Sequence, residues 1–309
     1  MTSITLFSNP NSGQNRRNPK KVKKLASILG QAGEIILSSS LEELQKDIDR
    51  CRDSGTQIIC IHGGDGTIHQ TLSAIHRSYQ QRDLPKIALL KGGTINNIVT
   101  GVGCRKKPEQ LLHQIVDRCK TTDLNFTIQR KRYLIIGEDK AGFIFGLGGI
   151  PHFLDEYYQG MRGPLGALWL LIKGLFSAII GGKFASRILQ KREMTITIDN
   201  NQLPASLFSL AGAATVPILG LQFRPFYKMF DNVPYFQLLA LTGSPLRIFF
   251  AFPKLFAGKP IVHRSIFDKT GSSLSLAANG TRMYTIDGDL YTFEQNLEIT
   301  LGREIEFIV

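Results

Sequence analysis

The chain has 309 residues, 43% of them hydrophobic and 20% charged, which supplies apolar material for more than one core and excludes the profile of a disordered polymer. Lysine and arginine total 37 against 25 acidic residues, a formal net charge of +12, so the surface favours nucleic acid, anionic lipid or phosphorylated ligands without choosing among them. The four cysteines lack CxxC spacing and the start, MTSITLFSNP, lacks a basic stretch followed by a long apolar run, so neither a disulfide scaffold nor a secretion signal is expected and a reducing cytosol is.

In chain order, ITLF predicts a strand and NPNSGQNRRNP a polar loop, followed by a helix over PKKVKKLASILGQAG that Pro19 opens and Gly33 closes. GEIILSS is a second strand, and SLEELQKDIDRCRDSG a second helix that Ser40 and Glu43 open as a capping box. QIICIH is a third strand, a glycine turn leads into the helix TIHQTLSAIHRSYQQ, KIALL is a fourth strand, and GGTINN leads into helical sequence that PEQLLHQIVDRCK completes. Alternation at this spacing predicts an α/β domain with a mostly parallel sheet over residues 1–123.

Beyond Asp123 short strand patterns dominate: FTIQ, RYLIIG, AGFIFG, EMTITIDN, FSLAGAAT, YFQLLALTG, SSLSLAA, MYTIDGD and LEITL. They predict a β-rich second domain over 124–309, interrupted by two apolar segments, 163–182 and 246–259. In the first segment Leu165, Leu168, Trp169, Ile172, Leu175, Phe176, Ile179 and Ile180 share one helical face, with Gly166, Ala167, Lys173, Gly174, Ser177 and Ala178 on the other. That face is expected in the core of the second domain; a helix lying in a lipid interface ranks second and a membrane span last.

The turn between the third strand and its helix, GGDGT, places Gly63, Gly64 and Gly66 where backbone N–H groups and a helix N-terminus converge beyond the carboxyl end of a strand. Residues without Cβ can adopt positive φ and close on an anion. A carboxylate among phosphates implies an intervening cation, so Asp65 is a candidate Mg²⁺ holder, directly or through water, while Thr67 suits a cap; the bland alternative is an ordinary turn in which Asp65 merely caps. NPNSG after the first strand and KGGTINN after the fourth make three such loops, able to share one sheet edge as a nucleotide site. Neither the GxGxxG fingerprint nor a GK[ST] phosphate loop is present.

With NPNSG at 9–13, GGDGT at 63–67, GGTINN at 92–97 and, near the end, LFAGK at 255–259 and YTIDGDLY at 284–291, the chain resembles the diacylglycerol kinase catalytic-domain family, which includes sphingosine kinases and bacterial lipid kinases. GGDGT alone is shared with NAD kinases. The resemblance implies a GGDGT-type α/β domain with a β-sandwich-like C-terminal domain, and transfer of the ATP γ-phosphoryl group to a lipid hydroxyl with Mg²⁺. It further implies nucleotide contacts from Asn9, Ser12, Gly13, Ser38, Gly63, Gly64, Asp65, Gly66, Thr67, Thr94 and Asn96. Asp289 falls at the family's catalytic glutamate, with Asp287 the preceding acid of the same motif. Asp231 of FDNVPYF matches an aspartate that holds a structural Mg²⁺ in bacterial members, with Asn232 in place of a glycine. This chain departs from the pattern in having Asp for Glu at 289, His69-Gln70 for an acid after GGDGT, and KGGT for a proline-containing approach.

YTIDGDLY is equally a hairpin with an Asp-Gly turn, and both readings hold together. The expected function is therefore a lipid kinase acting on diacylglycerol or a related alcohol; the alternatives are an NAD kinase-like small-molecule kinase and a non-catalytic nucleotide- or membrane-binding module. The basic run from Arg16 to Lys24, with Arg105, Lys106, Lys107, Lys183, Arg187, Lys191 and Arg192, suits an anionic membrane surface and a cytoplasmic, peripherally bound enzyme. No zinc-ligand pattern or RNA-binding motif supports a nucleic-acid partner. His62, His69 and His76 carry no metal-ligand spacing and are expected as core or surface residues. Whether the chain forms a homodimer is left open.

Overall fold

The structure is a computed structural model, described for residues 3–10, 12, 18, 20–93, 96–121, 124–160, 163–219 and 223–309, with positions 164 and 249 described by backbone alone. It divides into two compact units, one formed by Met1–Lys131, Asp139–Ala141 and Arg303–Val309, the other by Arg132–Glu138 and Gly142–Gly302.

In the first unit, β1 (Ile4–Ser8), β2 (Gly33–Ile36), β3 (Ile58–Gly63) and β4 (Lys86–Lys91) run parallel in the order β4-β3-β1-β2. Phe307 and Ile308 near the chain's end extend this sheet beside Ile87 and Ala88, again in parallel. Helix α1 (Lys20–Leu29) packs with α5 (Pro108–Lys120), and α2 (Leu41–Asp53) with α3 (Asp65–Ser78), while the short α4 (Asn97–Gly101) follows β4. Central strands β1 and β3 are buried along their whole length, as expected of a parallel sheet covered on both faces.

Local chemistry sets the boundaries. Ser40 Oγ accepts the Glu43 N–H at 3.1 Å and opens α2, but the Glu43 carboxylate returns to Ser39 N at 2.9 Å and to Ser39 Oγ, so the box closes one residue earlier than the sequence pattern suggests. Gly33, expected to end the first helix, instead begins β2 after a 3₁₀ turn at Gly30–Ala32. A Cβ there would sit 2.1 Å from Ile4 O, so the glycine is needed for strand pairing.

The second unit is antiparallel. Its strands are β5 (Ile128–Ile136, which begins in the first unit), β7 (Ile144–Gly148), β8 (Arg192–Glu193), β9 (Thr195–Ile198), β10 (Asn201–Gln202), β11 (Leu207–Phe208), β12 (Leu210–Ala214) and β13 (Phe236–Leu241). These are followed by β14 (Ile266–Gly271), β15 (Ser273–Ala277), β16 (Arg282–Ile286), β17 (Asp289–Phe293) and β18 (Asn296–Ile308), whereas the short β6 (Lys140–Gly142) lies mostly in the first unit. One sheet has the order β14-β13-β12-β7-β16-β17, and a second layer joins β10, β9, β15 and residues 296–300 of β18. Leu134, Phe145, Ile196, Phe208, Phe236, Leu274 and Ile299, from both layers, form one core, giving the expected sandwich.

Four helices of this unit, α6 (Gly149–Gln159), α7 (Pro164–Ile179), α8 (Lys183–Ile188) and α9 (Pro245–Phe256), include α6, which the sequence pattern does not predict. The apolar face of α7, expected in a core, points outward: Leu165, Leu168, Trp169, Ile172, Phe176, Ile179 and Ile180 are exposed, while Gly166, Leu170, Ser177 and Ala178 are buried. The small residues decide this inversion by letting neighbouring backbone approach: Ser177 Oγ accepts the Ala185 N–H at 2.9 Å, and a Cβ on Gly182 would meet that oxygen at 2.6 Å. Among the described residues no helix is long and apolar enough to cross a membrane.

Candidate active site

Three loops meet at the carboxyl end of the parallel sheet. Asn9 N donates to His62 O at 3.2 Å and its Nδ2 to Thr67 Oγ1 at 3.2 Å, joining the loop after β1 to the turn after β3. Ser12 Oγ donates to Gly92 O at 3.2 Å, which adds the loop after β4. Gly92 N in turn donates to Gly63 O at 2.9 Å. Asn96, in left-handed geometry at φ 57°, closes its own loop by accepting from Gly93 N and donating to Gly93 O, both at 2.9 Å. Gly13 and Thr94 lie outside the described residues. Ser38 makes a different contact, donating to Asp47 Oδ2 at 3.1 Å on α2.

The glycines are used otherwise than the positive-φ argument expects: Gly63, Gly64, Gly66, Gly92 and Gly93 are absent from the residues at positive φ, and Gly64 has φ −92°. What they provide is proximity. A Cβ on Gly93 would sit 2.5 Å from Gly64 Cα, one on Gly92 3.0 Å from Gly63 Cα, and one on Gly63 2.5 Å from Thr67 Oγ1. Helix α3 begins at a glycine cap that contributes no side-chain hydrogen bond, with the cap, Gly64, packed against Gly93 of the loop after β4.

Asp65 takes the capping role: Oδ2 accepts from Asn97 N at 3.0 Å and Oδ1 from Ile98 N at 3.1 Å, clamping the α3 turn to the start of α4. Its negative charge is turned toward two backbone amides. Among the described residues no group of three or more His, Cys, Asp or Glu stands together that could hold a metal ion. Asp231 is exposed beyond the 3₁₀ turn Tyr227–Met229, and Asn232 does not adopt the left-handed geometry of the glycine it replaces.

His62 and His69 are both fully buried. His69 Nδ1 lies 2.8 Å from Ala141 O, so the position after GGDGT anchors α3. His62 Nδ1 lies 2.9 Å from Ser8 Oγ across the β1–β3 pair. Burial, reinforced by Lys21, pushes its pKa from 6.5 down to about 4. A depressed histidine pKa leaves stability intact above pH 6.5 and removes it as pH falls from 6.5 toward 4, because only the unfolded chain then binds the proton. Urea melts should show His62→Gln losing less stability than wild type over that window, by up to about 3 kcal/mol. Equal losses in the two proteins would reject the assignment.

In the second unit, Asp287 and Gly288 form the tip of the β16–β17 hairpin at φ 52° and 105°. The Asp287 carboxylate is buried and accepts from Phe143 N at 3.0 Å and Ile144 N at 2.8 Å, so it fixes the hairpin to the start of β7. Gly142 makes room for it, since a Cβ there would lie 2.6 Å from Asp287 Oδ2. Tyr158 Oη donates to Gly288 O at 2.9 Å from α6. Asp289 opens β17 opposite Ile286 and is partly exposed. Sequence reasoning missed Tyr158 and Gly142, as well as a network in which Asp268 accepts from Tyr227 Oη at 2.5 Å, Lys228 Nζ at 2.9 Å and Gln237 Nε2 at 2.8 Å. None of these residues lies in a recognisable motif.

Residues 3–125 match the family model of the diacylglycerol kinase catalytic domain. Along its length the chain has the fold of a diacylglycerol kinase from Bacillus anthracis str. Sterne, with TM-score 0.67, 16% identity, and 99% of this chain and 96% of that one covered. Two further structures from that organism, provisionally described as diacylglycerol kinases, give TM-scores of 0.68 and 0.71 at 14% and 16% identity, covering 99% of this chain and 96% and 97% of theirs. No curated protein matches the chain. The loops at 9–13, 63–67 and 92–97 fall inside the matched segment, whereas Asp231, Asp287 and Asp289 lie beyond it. Over residues 3–125 the chain is thus similar to the diacylglycerol kinase catalytic-domain family.

Proposed function

We propose that this chain is an ATP-dependent lipid kinase that transfers the γ-phosphoryl group to a hydroxyl of diacylglycerol or a related long-chain alcohol. The observation that carries the reading is the meeting, inside the matched segment, of three small-residue loops around the open N-terminus of α3. Such an end presents amides and a positive dipole to a polyphosphate. The first-turn amides of α3 and the backbone of Gly63 and Gly64 would bind phosphate, Asn9 orients Thr67, Ser12 and Asn96 hold their loops in place, and Asp65 locks the last two loops together.

Magnesium would supply charge neutralisation for the polyphosphate, with Asp65 the residue that would hold it, directly or through water. Asp289, held at a fixed hairpin tip, orients the lipid hydroxyl. As the bond from that oxygen to the γ-phosphorus forms, the bond from phosphorus to the ADP oxygen breaks, and the hydroxyl proton passes to the Asp289 carboxylate and on to solvent. The apolar segments α7 and α9 favour a lipid acceptor over a soluble one, and a cytoplasmic enzyme bound peripherally to anionic membrane follows from that acceptor.

The test offers γ-labelled ATP with diacylglycerol, with other long-chain alcohols, with NAD, and with no acceptor. Label is expected in the lipid product. Label in NAD would make the chain a small-molecule kinase, and no transfer to any acceptor would leave only nucleotide binding; either outcome overturns the proposal.

A further inference from the structure

The outward face of α7 has a composition that water does not favour. Leu165 is 74% exposed, Trp169 57%, Ile172 54%, Phe176 65% and Ile180 68%, and on α9, which packs against α7, Phe250 is 71% exposed. Adjacent large apolar side chains at this exposure exceed the scattered singletons of an ordinary surface and mark an interaction site.

Charge distinguishes among occupants. From Gly163 to Arg192 there are five cations and no acid, and from Val233 to Phe267 four cations and no acid; apart from Arg187, which pairs with Glu156, these two segments hold eight cations while the whole chain nets +12. A protein partner or a second copy of this basic chain would have to bring acidic groups to meet them. An anionic bilayer meets both features at once, with apolar side chains entering the acyl region and lysines or arginines remaining at the headgroups. Lys173 shows that arrangement within α7: its Nζ lies 5.2 Å from the Trp169 ring centre and 4.5 Å from that of Phe184, so the cation lies over rings beside the apolar face. At 16 residues α7 is about 24 Å long, short of a bilayer's hydrocarbon thickness of about 30 Å, which suits a helix lying in the interface.

We infer that the outward face of α7, together with the exposed part of α9, is a docking surface that inserts into an anionic lipid bilayer. The inference rests on the lipid-acceptor reading for its purpose, and on exposure and charge for its argument. It adds an apolar surface to Lys183, Arg187, Lys191 and Arg192, which the sequence also places at an anionic membrane.

Trp169 is the only tryptophan in the chain, so the intact protein carries one intrinsic probe in the middle of the proposed surface. Its emission should shift to the blue when unilamellar vesicles of phosphatidylglycerol and phosphatidylcholine are added, and brominated acyl chains should quench it. Vesicles of phosphatidylcholine alone should bind more weakly. Ile172→Glu, at an exposed position, should weaken partitioning at least about tenfold with an unchanged thermal midpoint. Lys183→Gln should weaken binding to the anionic vesicles about fivefold and leave the neutral ones unaffected. Three outcomes overturn the inference: no sedimentation with vesicles, sedimentation with Trp169 neither shifted nor quenched, or a lipid-free shift that follows protein concentration together with dimer formation in sedimentation equilibrium. Transfer to a short-chain diacylglycerol in detergent micelles, assayed in parallel, separates failure of docking from failure of the kinase reading, because it needs no bilayer.

Discussion

Replacing Asp289 with asparagine should lower lipid phosphorylation about 10²- to 10⁴-fold while ATP affinity stays within a small factor of wild type. The substitution keeps the side chain's size and removes only the charge and proton-accepting capacity, at a position whose backbone is set by other residues. The hairpin tip has left-handed geometry at both Asp287 and Gly288. It is fastened by the Asp287 carboxylate to Phe143 N and Ile144 N, and by Tyr158 Oη to Gly288 O. Asp289→Asn should therefore leave the hairpin folded, with a smaller change in thermal midpoint than removal of the Asp287 carboxylate. Asp287→Ala, by contrast, strands two backbone amides without their acceptor and should lower stability by roughly 2–4 kcal/mol. Steady-state kinetics and thermal melts on the two variants separate an orienting group from a structural one. Wild-type turnover in Asp289→Asn would remove this residue from the mechanism.

The parts of the fold legible in the sequence are those whose pattern is local. β1 and β3 read as unbroken apolar runs because both faces are covered, and Ser40 announces α2 because its hydroxyl has an orphan amide to meet three residues on. α6 was hidden by Gly148, Gly149 and Pro151, a cluster that reads as a turn, although proline is tolerated in a helix's first turn and Pro151 lies there. α7 exposes a deeper limit. Periodicity locates its apolar face but cannot say what that face meets, and the decision fell to Gly166, Ser177 and Ala178, small enough to pack closely.

The candidate site was legible in the same uneven way. NPNSG, GGDGT and GGTINN mark the loops, yet the reason for the glycines lies in a contact between segments some thirty residues apart, which spacing cannot display. Asp65 shows the same dependence, since its partners at Asn97 and Ile98 become visible only once β3 and β4 are neighbours. Tyr158, Gly142 and Asp268 act through long-range contacts and left no signal in their own surroundings.

Gly93→Ala is the most direct probe of that loop packing. The added methyl would lie 2.5 Å from Gly64 Cα and 3.1 Å from Asn96 Oδ1, so neither neighbour can absorb it by a side-chain rotation: the first is backbone, and the second is tied to Gly93 N and O. The loops after β3 and β4 must separate, loosening the clamp from Asp65 to the start of α4 and the Gly92-to-Gly63 hydrogen bond. Overpacking of this kind costs about 1–3 kcal/mol of stability. Nucleotide affinity should fall further than stability alone dictates, by at least about tenfold, because amides aimed at a polyphosphate lose strength once displaced by a few tenths of an ångström. Gly64→Ala, whose Cβ would stand 3.2 Å from Gly93 Cα, should do the same to a smaller extent. Chemical denaturation and equilibrium binding of a nonhydrolysable ATP analogue give both quantities. A Gly93→Ala protein with wild-type stability and affinity would show that the two glycine loops neither touch nor bind the nucleotide.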